Sequence, residues 1–187
     1  MNGKLHDDLN AIDSETKFIL SELFVEKKDL PSVKIFLLQI KKRCYTQILA
    51  KYVSEKHKPK NERKLITFVC DGCPTYGTAF NILFGQVTKL IFGIPIKYRK
   101  FGVKHNNNAI ERYNKEIKRR IIVFGSFRSL EGARVFLSFR AIMHNFVNPH
   151  SELNGTTPAQ AADIKIPLGE NRLLDLIKYA PKQDDVK

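Results

Sequence analysis

The chain has 187 residues, 43% of them hydrophobic, and a formal net charge of +13. That is enough chain for one domain with its own core, and no stretch approaches the roughly 20 apolar residues needed to span a bilayer. The opening MNGKLHDDLNAID carries no signal-peptide apolar region, so the default expectation is an intracellular protein with no membrane partner.

Residues 5–26 read as two strands. Asp13-Ser14-Glu15-Thr16 supplies the turn, and Phe18-Ile19-Leu20 with Leu23-Phe24-Val25 supplies β-forming bulk. Asp29-Leu30-Pro31 then reads as a helix entry, with Pro in the first turn. Val33, Phe36, Leu37, Ile40, Cys44, Ile48 and Tyr52 follow at helical spacing. His57-Lys58-Pro59-Lys60 ends that helix. The apolar run 65–70 predicts a strand that delivers Asp71 at its end, followed by a short helix over 75–84 and a strand at Lys89–Phe92. Residues 93–104 read as loop or edge strand. A basic helix carries Glu111 to about Ile122, and Phe124-Gly125-Ser126-Phe127 breaks it.

Another helix is predicted from about Leu130 to Phe146. Its stripe of Val135, Phe136, Phe139, Ile142, Met143 and Phe146 is expected to be core. Thr157-Pro158-Ala159-Gln160 has the form of a capped helix start. A last helix is expected over 170–179 and a polar tail over 182–187. Strands early, helices late and two βα crossovers between them make the class α/β.

Charge is unevenly placed. Residues 97–134 carry 11 basic and 3 acidic groups. An excess of that size bracketing Glu111 points to a nucleic-acid surface, with a solvated lysine-rich face as the plainer reading. Cys70-x-x-Cys73 is half of a zinc pattern without a second half, so packing is favoured over metal or redox roles.

Asp71 and Glu111 are the candidate chemistry. Hard cations such as Mg²⁺ take oxygen ligands from one or two carboxylates, with phosphate completing the shell. On the basic helix, Ile110, Tyr113, Ile117 and Ile121 mark a packed face. Glu111, Lys115 and Lys118 lie beside it at i, i+4 and i+7. That spacing fits a surface Glu–Lys pair worth a few tenths of a kcal/mol, and equally a metal carboxylate with a phosphate-contacting lysine.

Three separated motifs carry a family resemblance. They are VCDGCPTYGTAF (69–80), His105 followed by NNNAIERYNKEIKRR, and HNFVNPHSELNGTTPAQAADI (144–164). In this order they resemble the catalytic core of DDE transposases of prokaryotic insertion sequences, archaeal-type elements especially, within the retroviral-integrase, RNase H-like superfamily. The resemblance implies an RNase H-like α/β core over 1–164, with a C-terminal helix and tail over 165–187. It implies Asp71 and Glu111 as catalytic carboxylates that bind Mg²⁺ or Mn²⁺. It places Lys118, Arg112, Lys115, Arg119 and Arg120 on DNA, with His105 and Asn108 lining the site. Element ends and target DNA would be the partners, in a homo-oligomer of the intact enzyme, in the cytoplasm of a prokaryote.

The departure is at the front. Such enzymes use three carboxylates, the first on a strand that precedes a segment like NGKLHDDLNAID. By the resemblance the chain is expected to be N-terminally truncated and inactive alone. The lost strand would lie between the second strand and the one ending at Asp71. Asp7 and Asp8 sit on the wrong strand to replace the lost ligand, and Asp13 is a turn residue. Two other classes stay open: a non-catalytic DNA-binding remnant or regulator of a full-length transposase, and an unrelated basic RNA-associated module. The last requires Asp71 and Glu111 to lie far apart.

Overall fold

A computed structural model describes residues 6–92, 108–124, 127 and 129–180 of the chain. The fold is mixed α/β, with strands early and helices late as the sequence pattern requires. Strands β1 (Asp7–Ile12) and β2 (Ile19–Val25) form an antiparallel hairpin. Its turn is built by Asp13. The carboxylate accepts the Thr16 N–H at 3.1 Å and the Thr16 hydroxyl at 2.5 Å, and Lys17 takes a positive φ of 60°. A bulge at Ala11/Ile12 pairs Ile12 with Ile19 and leaves Leu20 out of register.

Helix α1 (Leu30–Glu55) starts where Asp29 accepts the Ser32 N–H at 2.9 Å, with Pro31 in the first turn. Strand β3 (Thr67–Cys70) leads into α2 (Pro74–Leu83) and then β4 (Lys89–Phe92), which pairs with β3 in parallel. The basic helix α3 (Asn108–Phe124) and then α4 (Leu130–Ile142) follow. A π-helical turn (Met143–Val147) extends α4, and a 3₁₀ turn (Ser151–Leu153) comes next. Thr157 and Gln160 form a reciprocal capping box on α5 (Pro158–Ala161), and α6 is Arg172–Tyr179.

Two apolar clusters hold these elements in layers. On one side of the strands, Leu9 and Val25 pack with Val33, Phe36, Leu37 and Ile40 of α1 and with Phe80 and Phe84 around α2. On the other side, Ile19 packs with Tyr113 and Ile117 of α3 and Leu137 of α4. Asn145 in the π-helical turn ties the second layer to the hairpin. Its Oδ1 accepts the Ile19 N–H at 2.8 Å and its Nδ2 donates to the Ile19 carbonyl at 3.1 Å.

The expected α4 core stripe holds only in part: Phe136 packs against the second cluster and Phe146 against Phe18, while Val135, Phe139 and Ile142 are 59%, 49% and 42% exposed. The buried face carries Ala133, Leu137 and Arg140 instead, turned about half a revolution away at 100° per residue. Ala133 lets the helix approach closely, and ion pairing of Arg140 with Glu116 of α3 compensates the buried guanidinium.

The two sheets remain separate. Among the described residues β1 pairs only with β2, and β3 only with β4. No helix among the described residues is long and apolar enough to cross a membrane. The expected loop at 93–104 lies outside the described residues.

Candidate functional site

Asp71 follows the last residue of β3, so the strand delivers its carboxylate to the C-terminal edge of the β3–β4 sheet. Glu111 lies in the first turn of α3, where the helix dipole favours a negative charge. Though 40 positions apart in sequence, both line one groove of about 1480 Å³. The groove runs between β1 and β3, with α1 on one flank and the start of α3 on the other.

Asp71 is already engaged. Lys28, in the β2–α1 loop, places its Nζ 2.8 Å from Asp71 Oδ2. The same ammonium lies 4.7 Å from the centre of the Tyr76 ring, and the Lys28 N–H donates to Asp7 at 3.1 Å. Asp7 and Asp71 are thus linked through one lysine. Among the described residues, no group of three or more His, Cys, Asp or Glu side chains could hold a metal ion. The three-carboxylate set that the family resemblance implies is not assembled among them.

Helix α3 divides as its spacing predicts. Tyr113 and Ile117 are buried and Ile110 and Ile121 pack beside them. Glu111, Arg112, Lys115, Lys118, Arg119 and Arg120 are exposed. The basic groups differ in how free they are. Arg112 pairs with Glu152, and Arg120 lies 3.5 Å from Glu116. Among the described residues Lys115, Lys118 and Arg119 form no ion pair, so their charge is open to an anionic partner. Asn108 begins the helix, and His105 lies outside the described residues.

His144 and His150 make packing and capping contacts. His144 Nε2 is 2.8 Å from the Lys17 carbonyl, and its ring packs edge-on against Tyr113. Burial holds its pKa below the usual imidazole value. His150 Nδ1 accepts the Glu152 N–H at the start of the 3₁₀ turn. Cys44, Cys70 and Cys73 are free thiols. Burial, followed by the charge of Asp71, pushes the Cys70 thiol up to about 11, which is opposite to what a redox nucleophile needs.

Sequence reasoning missed a buried polar cluster beside the groove. Asn10 Nδ2 donates to Asp8 at 2.7 Å and to Asn114 of α3 at 3.1 Å. The Tyr113 hydroxyl donates to Glu22 at 3.4 Å. Asp8 Oδ1, Asn10 Oδ1 and Glu22 Oε2 are buried without a hydrogen-bond partner. Burial raises the Asp8 carboxyl to about 6. Burial and then the Asp8 charge raise Glu22 to about 8. The one available signal was the phase of the strands, since Asp8 and Asn10 alternate along β1 and Glu22 lies opposite Asn10.

Comparison with known proteins finds no family model and no curated protein that matches the chain.

Proposed function

We propose that this chain is an RNase H-like core of DDE-transposase type that binds DNA along the exposed face of α3. The observation that carries the reading is the sharing of one groove by Asp71 and Glu111, next to a helix on which Lys115, Lys118 and Arg119 form no ion pair among the described residues. The order of the three sequence motifs supports it.

Phosphate contacts supply sequence-independent affinity, and the cations on α3 are placed to make them. The reading calls for Mg²⁺ or Mn²⁺ at Asp71 and Glu111, which requires Lys28 to release Asp71. The pairing of Lys28 with Asp71 favours a second reading, a DNA binder that does not cut. The homo-oligomer and the insertion-sequence ends and target belong to the first reading as proposals.

The test uses labelled duplex DNA with the whole chain. Binding should weaken when Lys118, Arg119 and Arg120 are changed to Ala. Equal binding by the triple variant would sink the reading. Nicking in Mn²⁺ that is lost in Asp71→Asn would select the catalytic version, and binding without nicking would select the second.

A further inference from the structure

A second cavity, of about 300 Å³, is formed where the hairpin turn, α3, α4 and the 3₁₀ turn meet. Its charged lining comes from all four. Lys17 belongs to the turn, Arg112 and Glu116 to α3, Arg140 to α4 and Glu152 to the 3₁₀ turn. Arg112 and Glu116 share this face because they are four residues apart on a helix. Glu111, one residue earlier, is turned about 100° away and lines the groove described above. One helix thus borders two sites.

Cations outnumber carboxylates in this cluster. Glu152 is shared by Lys17, 3.2 Å away, and by Arg112. Glu116 is shared by Arg140 and by Arg120, which lies 3.5 Å away. Four cations on two carboxylates leave two positive charges over. Arg140 is the most buried of them, at 7% exposed. A charge so deep normally has its hydrogen-bonding capacity met. Arg140 falls short of that, because Nη2 pairs with Glu116 while Nε has no partner. A guanidinium presents its donors in a planar fork that fits two oxygens of one phosphate. At the other extreme the Arg112 side chain is 71% exposed, so the cavity opens to solvent. His150 also lines it. Its Nδ1 accepts the Glu152 N–H, which places the proton of the neutral ring on Nε2 as a further donor.

We propose that this cavity binds a phosphate monoester as its dianion. A monoester is close to doubly charged at neutral pH, with a second pKa of about 6, and so matches the two charges that the cluster leaves over. A backbone phosphodiester carries only one. Arg140 and Lys17 hold the phosphate, and Arg112 closes on it from the rim. The cavity has room for more than the phosphate, since pockets for small molecules begin at about 300 Å³. The ester group lies against the apolar wall of Ile12, Tyr113 and Pro149. None of Asp71, Glu111, Lys115, Lys118 and Arg119 lines this cavity. The inference therefore stands or falls separately from the function proposed above.

The probe is phenyl phosphate, titrated into the whole chain near neutral pH and read by calorimetry. The expected result is saturable one-to-one binding. Diphenyl phosphate and benzoate, each with a single charge, should bind about tenfold more weakly or worse. Arg112→Gln changes an exposed side chain, and Lys17→Asn suits the positive φ of 60° at that position. Each should weaken binding by about threefold to tenfold. Lys42→Gln, exposed on α1, removes the same charge outside the cavity and should leave the affinity unchanged. Arg140→Lys keeps the buried charge but loses the fork, and should weaken binding by about tenfold. If that variant fails to fold, the Lys17 and Arg112 variants decide the matter. Displacement of phenyl phosphate by a 5′-phosphorylated dinucleotide, but not by its 5′-hydroxyl form, supports the proposal with a nucleic-acid end as the source of the phosphate. Displacement by neither supports it with a free small molecule as the source. Absence of saturable binding, equal affinity for diphenyl phosphate, displacement by the 5′-hydroxyl form, or an equal loss in Lys42→Gln overturns it.

Discussion

Lys28 holds Asp71 across 43 positions of sequence, with its ammonium 2.8 Å from the carboxylate. The carboxylate is 60% exposed, so the pair contributes little to stability, about 0–1 kcal/mol. Its importance is competitive, because a cation at Asp71 must displace an ammonium. Lys28→Met should leave the urea midpoint nearly unchanged. It should tighten Mn²⁺ binding, followed by water proton relaxation, by up to about fivefold, the equivalent of roughly 1 kcal/mol of removed competition. Adding Asp71→Asn should abolish the gain. Mn²⁺ affinity that ignores both changes would remove Asp71 from any metal site.

Glu22 makes stability depend on pH in an unusual direction. The folded chain keeps the Glu22 proton up to about pH 8, against 4.5 for the ordinary group. Between those values the folded state binds more protons than the unfolded state, so stability falls as pH rises through the window. Asp8, raised from 3.8 to about 6, acts in the same sense at lower pH. Glu22→Gln keeps the shape of the protonated side chain without the titration. It should match the parent at pH 5 and exceed it on the order of 1–2 kcal/mol at pH 8.5. Urea unfolding at the two pH values measures the difference. A parent chain that gains stability from pH 5 to 8.5 relative to Glu22→Gln would contradict the burial argument.

Much of this was readable in the sequence, for reasons that differ by element. The hairpin turn was legible because Asp13 and Thr16 carry local hydrogen-bonding chemistry. The starts of α1 and α5 were legible because Asp29-Leu30-Pro31 and Thr157-Pro158 are capping patterns that need no tertiary partner. The packed face of α3 was legible because Ile110, Tyr113, Ile117 and Ile121 recur at helical spacing, although Ile122 and Val123 fall off that stripe and are exposed. On α4 that logic failed. The helix has two apolar faces half a turn apart, and bulk favoured Val135 and Phe139. Packing against Ile19 and Tyr113 selected the face with Ala133, Leu137 and a paired Arg140 instead. The Asp8–Asn10–Glu22 cluster depends on cross-strand register, which the bulge at Ala11/Ile12 helps to set, and the Lys28–Asp71 contact depends on the path of a loop. Neither is encoded in spacing.

Asn145 is a point where one side chain replaces a strand partner. It is 5% exposed and meets both backbone groups of Ile19, which is 2% exposed. Asn145→Ala would leave a buried N–H and a buried C=O without partners. Such a loss costs about 2–4 kcal/mol, a large part of the usual margin of about 5–15 kcal/mol. Chemical denaturation should show this loss, and hydrogen exchange should show the Ile19 amide opening ahead of the rest of β2. A change below about 0.5 kcal/mol would mean that water replaces the side chain and that the clasp is not structural.

The salt dependence of DNA binding should separate the cations of α3 by their existing partners. Each phosphate neutralised contributes about −0.9 to the log–log salt slope on duplex DNA, so a surface that engages about five phosphates gives a slope near −4.5. Removing a cation that is free in the unbound chain removes nearly its whole term. Lys118→Ala and Arg119→Ala should therefore each flatten the slope by about 0.9. Arg120 already spends part of its charge on Glu116, and Arg112 on Glu152. Their Ala variants should flatten the slope by less, and should weaken binding alike for all DNA sequences. Anisotropy titrations at several salt concentrations give all four slopes. If Arg112 and Arg120 prove to be the large contributors and Lys118 and Arg119 the small ones, DNA approaches α3 from the Glu116 and Glu152 side and not along its free cations.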